Sequence, residues 1–130
     1  MIAHAQADLP NECCGLLAGT IGADGIARIE RRFALVNALA SPTDYLWEGK
    51  SAIAADREMR RLGVEMLAIY HSHPTTHPVP SRKDCARYDE VRPLIGDLMH
   101  FIVGLHERAP SVRGWWLTGD DYLEAEWEVV

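Results

Sequence analysis

His71-Ser72-His73-Pro74-Thr75-Thr76-His77-Pro78-Val79-Pro80-Ser81-Arg82-Lys83-Asp84 is the stretch on which the reading of this chain turns. The residues before it, Val64 to Tyr70, give a strong apolar strand signal that runs straight into His71. Side chains at i and i+2 of a strand share one face, so His71 and His73 can aim their imidazoles at one ion. The loop from Pro74 to Pro80 turns the chain back, and a helix is expected from about Ser81. Asp84 then falls in the first helical turn, where it can supply an oxygen ligand. Two imidazoles and one carboxylate leave the fourth tetrahedral position for water, which is the arrangement of a catalytic zinc site and not a structural one. Zinc would bring the pKa of that water down to about 7.

Each feature has a plainer reading. A histidine pair at a strand end can simply face solvent. Ser81 and Asp84 are also placed as the N-cap and third residue of a capping-box variant. The two readings of Ser81 and Asp84 are compatible, since a cap would hold both residues in place. The combination is rarer than its parts: average residue usage produces H-x-H-x7-S-x-x-D by chance in roughly a few per ten thousand chains of this length.

Working outward, residues 1 to 8 suit the end of a helix stopped near Pro10, and residues 12 to 20 a buried strand. Gly22-Ala23-Asp24-Gly25 signals a hairpin, with residues 26 to 36 returning. Ser41-Pro42-Thr43 breaks the chain, and Tyr45-Leu46-Trp47 suits a short strand. Residues 51 to 62 suit a helix capped by Ser51 and ended by Gly63, with Ile53, Ala55, Met59 and Leu62 on its apolar face. Pro93 should end or kink the helix that starts at Ser81. Met99 to Leu105 reads as a buried strand, and residues 112 to 118 and 121 to 129 as a closing hairpin around Gly119-Asp120. Strands alternate with helices and outnumber them, which predicts a mixed α/β domain over residues 1 to 130.

The 130 residues are 48% apolar and 25% charged, ordinary for a soluble globular domain. No apolar run reaches the length of a membrane span, and the first residues lack the pattern of a signal peptide. The net charge of -6 argues against nucleic acid as a main partner. Cys13, Cys14 and Cys85 are a poor disulfide framework, odd in number and with two adjacent. A cytoplasmic protein with reduced thiols is expected.

The quoted stretch resembles the JAMM motif of the JAMM/MPN+ zinc metalloproteases: an upstream glutamate, then H-[ST]-H-P-x6-S-x-x-D. The upstream Pro10-Asn11-Glu12-Cys13-Cys14-Gly15-Leu16-Leu17-Ala18-Gly19 is similar to the family's P-x-E-x-C-G-L-L-x-G strand. The Ser41-Pro42-Thr43 segment and the Trp115-Trp116 strand are family-like too. The resemblance implies a cytidine-deaminase-like mixed sheet flanked by helices and one Zn2+ per chain. It implies His71, His73 and Asp84 as ligands, Glu12 as general base and Ser81 as the hydroxyl that steadies the oxyanion. It also implies a strand ahead of the first helix. Either the true start lies upstream or a sheet edge is left open, and an open edge would permit pairing into a homodimer.

Similarity to the compact prokaryotic members implies hydrolysis of a peptide or isopeptide bond after the C-terminal tail of a ubiquitin-like sulfur-carrier protein or its conjugate. Three alternatives stand beside it: a deconjugase of ubiquitin-like modifiers in immunity, a general small-peptide hydrolase, and a non-catalytic MPN scaffold. An extended substrate tail is expected to pair with the Thr43–Leu46 stretch by strand addition. Two further features remain outside the motif. His77 reads as a solvated loop histidine that also lies within reach of metal or substrate. His106-Glu107 begins like H-E-x-x-H, but Pro110 stands where the second histidine is required. Cys85 adjoins Asp84, but on a helix it points about 100° away, towards the core. Thiol titration of the denatured, unreduced protein should find three free thiols, and a bridge from Cys13 or Cys14 to Cys85 would refute the reduced state.

Overall fold

Alternation along β1 (Cys14–Ile21) sets the two faces of a six-stranded sheet in the computed structural model, which describes residues 1–130. Cys14, Leu16 and Ala18 pack with Ala55 and Met59 of one helix, while Leu17 points to the opposite face with Ala5, Tyr70 and Phe101. Helix α1 (Ile2–Ala7) lies on that second face, and α2 (Gly49–Leu62) on the first. The remaining strands are β2 (Ala27–Leu35), β3 (Glu65–His73), β4 (Met99–Gly104), β5 (Ser111–Thr118) and β6 (Asp121–Glu124). They are ordered β2-β1-β3-β4-β5-β6, so β2 and β6 are the edges.

Every neighbouring pair is antiparallel except β3 and β4. A parallel pair cannot be closed by a tight turn and needs a crossover. Helix α3 (Arg82–Ile95) supplies it, and its Cys85 and Tyr88 pack on Ile102, Trp115 and Leu117. The mixed α/β sheet flanked by helices is therefore the fold the sequence predicts. The crossover has a functional consequence: it returns the start of α3 to the end of β3, where the two histidines lie.

Gly15 shows why the first strand carries a glycine. It stands opposite Tyr70 in register, and a Cβ there would lie 2.3 Å from the tyrosine ring. The ring thus crosses β1 and brings its hydroxyl to His4 Nδ1 (2.7 Å) and to an N–H of Arg32 (3.2 Å), linking α1, β2 and β3. Gly63 ends α2 as expected, with φ of 69° in the left-handed region.

Four local expectations need correction. Helix α2 begins at Gly49, and its N-cap is Glu48, whose carboxylate accepts the Ser51 N–H at 3.2 Å. Ser51 lies inside the first turn, and its hydroxyl accepts the Val36 N–H instead. Ile53 is exposed, leaving Ala55 and Met59 as the buried pair on α2. Pro93 neither ends α3 nor sets its boundary, because the helix runs on to Ile95 and closes where the Gly96 N–H reaches the Arg92 carbonyl. Tyr45-Leu46-Trp47 is not a strand; it makes one isolated bridge, Asn37 to Trp47, because Asn37 side-chain bonds hold the segment as a loop. The closing hairpin is as expected, but β6 stops at Glu124.

His100 on β4 is 2% exposed, packs edge-on to Tyr88 at 4.3 Å, and has no partner for Nε2. Burial pushes its pKa down to about 3. The folded chain therefore resists protonating His100, whereas the unfolded chain accepts a proton near pH 6.5. Stability from this residue is complete above about pH 6.5 and is lost as pH falls towards 3, by up to on the order of 4 kcal/mol. Denaturant unfolding of wild type and His100→Gln at a series of pH values should show wild type losing ground to the variant below pH 6.5; parallel curves would mean that His100 does not titrate in this range.

Candidate metal centre

Strand β3 delivers His71 and His73 to one face, the side on which Ile69 enters the core beneath α2. Both histidines are buried. Their Nε2 atoms lie 3.1 Å apart, and each is 3.2 Å from Oδ2 of Asp84. Asp84 is the third residue of α3, and the capping box read from the sequence is present in both directions: Asp84 N–H donates to Ser81 Oγ at 3.1 Å, and Ser81 N–H donates to Asp84 Oδ2 at 2.9 Å. The cap thus aims the carboxylate back at β3.

Glu12, at the entry to β1, stands further off, with Oε1 4.0 Å from His73 Nε2. It is 4% exposed, and its Oε2 has no partner. Ser81 is exposed at the rim. All five residues singled out in the sequence, Glu12, His71, His73, Ser81 and Asp84, are thus brought together at one place.

The donor set fits a tetrahedral zinc ion. Ligand bonds of about 2.0–2.1 Å put tetrahedral ligand atoms about 3.3 Å apart, and the three edges of the His71–His73–Asp84 triangle measure 3.1, 3.2 and 3.2 Å. Glu12 with the two histidines also forms a compact set of donors. Asp84 is the better third ligand because its oxygen lies nearer to both imidazoles. The His73 tautomer fits as well. Its Nδ1–H donates to the His77 carbonyl at 2.8 Å, and a carbonyl can only accept. With the Nδ1 proton so held, the proton that His73 Nε2 shares with Asp84 is the one a cation would displace, leaving Nε2 bare towards the ion.

Charge is distributed unequally between the two carboxylates. Burial pushes Glu12 up to about 7, although His71 and His73 pull it the other way. Burial also works to raise Asp84. The His71 charge, the hydrogen bonds from both imidazoles and the Ser81 N–H outweigh it and hold Asp84 far below the usual carboxylate range. For His73, burial favours the neutral ring, but Asp84, the His77 carbonyl and Glu12 prevail and raise its proton affinity. The site attracts positive charge.

Several residues that shape the site were not singled out in the sequence. Asn37 donates from Nδ2 to the carbonyls of Glu12 (3.1 Å) and Asp44 (3.0 Å), while its Oδ1 accepts from Leu39 and Leu46, both at 3.1 Å. Tyr45 stacks on His71 with ring centroids 4.6 Å apart. Arg87 of α3 pairs with Asp44 through both carboxylate oxygens, at 2.9 and 3.0 Å. The Trp115 indole N–H donates to the Pro78 carbonyl at 2.9 Å and pins the loop between β3 and α3. The sequence drew attention to the Trp115-Trp116 pair and, as a candidate strand, to the stretch with Asp44 and Tyr45, but to none of these contacts; Asn37 and Arg87 carried no signal. Cys85 faces the core, as the helical geometry predicts. Cys13, Cys14 and Cys85 are all free and buried, and burial pushes Cys13 up to about 11 and Cys14 up to about 12.

Comparison with known proteins gives a consistent picture. The sequence model of the prokaryotic homologs of the JAB domain matches residues 1–118. A protein of Mycobacterium tuberculosis named CysO-cysteine peptidase is 42% identical over 84 residues, which are 65% of this chain and 56% of that protein. A probable TtuB-protein conjugate cleaving protease of Thermus thermophilus is 37% identical over 83 residues, 63% of this chain and 52% of that one. The matched stretch thus spans little more than half the length of these relatives. A solution structure of a Desulfitobacterium hafniense protein superposes with a TM-score of 0.81 at 33% identity, covering 97% of this chain and 83% of that one.

The Trp115–Pro78 bond provides a test of how the loop supports the site. Trp115→Phe keeps the aromatic packing and removes one buried hydrogen bond, at a cost of about 0.5–1.5 kcal/mol. The folded variant should release zinc to a chelator faster than wild type; equal release rates would show that the loop anchor does not support the metal centre.

Proposed function

The chain belongs to the family of prokaryotic homologs of the JAB domain, and from that premise we propose that it is a zinc-dependent hydrolase of peptide or isopeptide bonds. The observation that carries the reading is the triangle of His71 Nε2, His73 Nε2 and Asp84 Oδ2 at 3.1–3.2 Å, with Glu12 set back from it. His71, His73 and Asp84 would hold the ion. When bound, zinc supplies Lewis acidity that polarises a scissile carbonyl and makes the attacking water more acidic.

The remaining work falls to two side chains. Glu12 takes a proton from the attacking water and passes it to the leaving amine. Burial raises its proton affinity in the ion-free site to about 7, and a bound cation would lower it from there, towards a group that readily gives the proton on. Ser81 Oγ accepts the Asp84 N–H, so its own O–H is free to donate to the oxygen of the tetrahedral species. The complete five-residue set argues against the non-catalytic scaffold.

The substrate class we propose is the C-terminal tail of a ubiquitin-like sulfur-carrier protein, or a conjugate of such a protein. The ubiquitin-like carrier comes from the family resemblance, and the names of the relatives, a CysO-cysteine peptidase and a TtuB-protein conjugate cleaving protease, support cleavage at a protein or its conjugate. The latter keeps a deconjugase as the second reading. Strand addition on Thr43–Leu46 has less support than the sequence promises. The Thr43 and Asp44 carbonyls and both backbone groups of Leu46 are already engaged, by Lys83, Asn37 and Ala38.

Native protein freed of loosely held metal should retain about one zinc per chain, as one set of three protein ligands with an open fourth position requires. His71→Ala and Asp84→Ala should lose most of it, and equal zinc in all three would refute the ligand assignment. Glu12→Gln should keep zinc and lose about 100- to 10,000-fold in turnover, whereas an active Glu12→Gln enzyme would place the base elsewhere. Substrate form is tested with a ubiquitin-like carrier extended by one amino acid and a free peptide of the same C-terminal sequence. Preferential cleavage of the carrier is expected, and equal cleavage of the free peptide would leave a general peptide hydrolase.

A further inference from the structure

The two sequence features left outside the motif, His77 and His106-Glu107, meet in space. His77 lies on the loop between β3 and α3, and His106 and Glu107 on the turn between β4 and β5. The His77 and His106 rings are 4.2 Å apart, centroid to centroid, inclined at 64°. Glu107 Oε1 is 3.3 Å from His106 Nε2. One donor atom from each of the three residues falls within 4.8 Å of the other two.

No hydrogen bond accounts for a histidine at position 106. Its side chain is only 16% exposed, yet neither ring nitrogen has a hydrogen-bond partner. An unpartnered buried polar group is costly, and an apolar ring of similar size would avoid that cost. His77 and Glu107, by contrast, are exposed and leave the cluster open to solvent. The segments that carry the donors are held in place. The His77 carbonyl accepts from both His73 Nδ1–H and Val79 N–H, each at 2.8 Å, and the Leu105 N–H donates to the His73 carbonyl at 3.2 Å.

We propose that His77, His106 and Glu107 form a second binding site for a divalent first-row transition ion, with Zn2+ as the natural candidate. Two imidazoles and a carboxylate suit zinc, nickel or copper, and lack the oxygen-only character that magnesium or calcium requires. The 3.3 Å separation of His106 Nε2 and Glu107 Oε1 is already the edge of a tetrahedral site. The His77 donor already lies within 4.8 Å of the other two, and its exposed ring would turn inward to meet an ion. Water completes the shell, since only three protein donors converge. An ion bound there ties the loop that carries the His77 carbonyl to the β4–β5 turn. It would therefore brace the backbone group that orients His73, without touching the first site. The site is independent of the proposed hydrolase activity, and its test does not read activity.

The experiment is a zinc titration of protein already holding its first equivalent, against a chromophoric chelator of micromolar affinity. Wild type should take up a second equivalent, and nickel should substitute for it. His106→Gln should keep the first equivalent and lose the second, with a melting curve in chelator that shows a folded chain. Glu107→Gln, at a side chain that is 66% exposed, is the second variant and should also lose the second equivalent while folding normally. One equivalent only in wild type would overturn the site, as would a second equivalent that survives in either folded variant.

Discussion

Asp84 Oδ2 is the atom on which the centre depends. It accepts the Ser81 N–H at 2.9 Å and stands 3.2 Å from both histidine Nε2 atoms. A carboxylate oxygen has two lone pairs, so one can close the helix cap while the other faces the imidazoles. The cap also removes the freedom the side chain would otherwise have to surrender on meeting a ligand. The start of α3 reaches that position only because β3 and β4 are parallel and α3 is the crossover between them. Fold and site therefore share one constraint. A rearrangement that unseated the first turn of α3 would open the triangle and undo the return of the chain to β4.

The layer around the triangle is built from contacts distant in sequence. Asn37 joins the carbonyls of Glu12 and Asp44, so the position of the buried glutamate depends on a loop more than 20 residues away. Asp44 then ties that loop to α3 through Arg87, and Tyr45 covers His71. On the other side, Trp115 holds Pro78, three residues before the capping serine along a loop that also carries His77. Tyr45 thus covers one imidazole directly, while Trp115 supports the other through the loop whose His77 carbonyl accepts from His73.

How much of this was legible follows from the range of the interactions. The i, i+2 histidines, the capping box and Gly63 are local: strand period, helix-start chemistry and left-handed backbone are each written within a few residues. They mark His71, His73, Ser81 and Asp84 in the sequence itself, whereas Glu12 stands out only through the resemblance of Pro10–Gly19 to the family's strand. Ser51 misled because its hydroxyl is taken by the Val36 N–H, a contact invisible to a local pattern. Pro93 misled because a proline near a helix end removes one bond without stopping the turn that follows. Tyr45-Leu46-Trp47 has strand composition, but the Asn37 side chain supplies the hydrogen bonds that a neighbouring strand would have given. Asn37 itself looks like any loop asparagine until its four partners are assembled.

The two carboxylates show how one site supports two kinds of chemistry. Both are largely shielded from water, and burial alone would raise both. Asp84 meets two imidazoles and a backbone N–H, which keep it anionic across the working range. Glu12 has one oxygen without a partner and only distant cationic help, so its proton is held near neutrality. A carboxylate that never takes a proton is fit to hold a cation; one that exchanges it near pH 7 is fit to move protons. An unpartnered Oε2 is a burden on the fold, and an amide or an apolar residue at position 12 would relieve it. A glutamate there makes physical sense where water must lose a proton beside a cation, because a fully solvated carboxylate would be too acidic to receive it and a fully paired one too tightly engaged to release it.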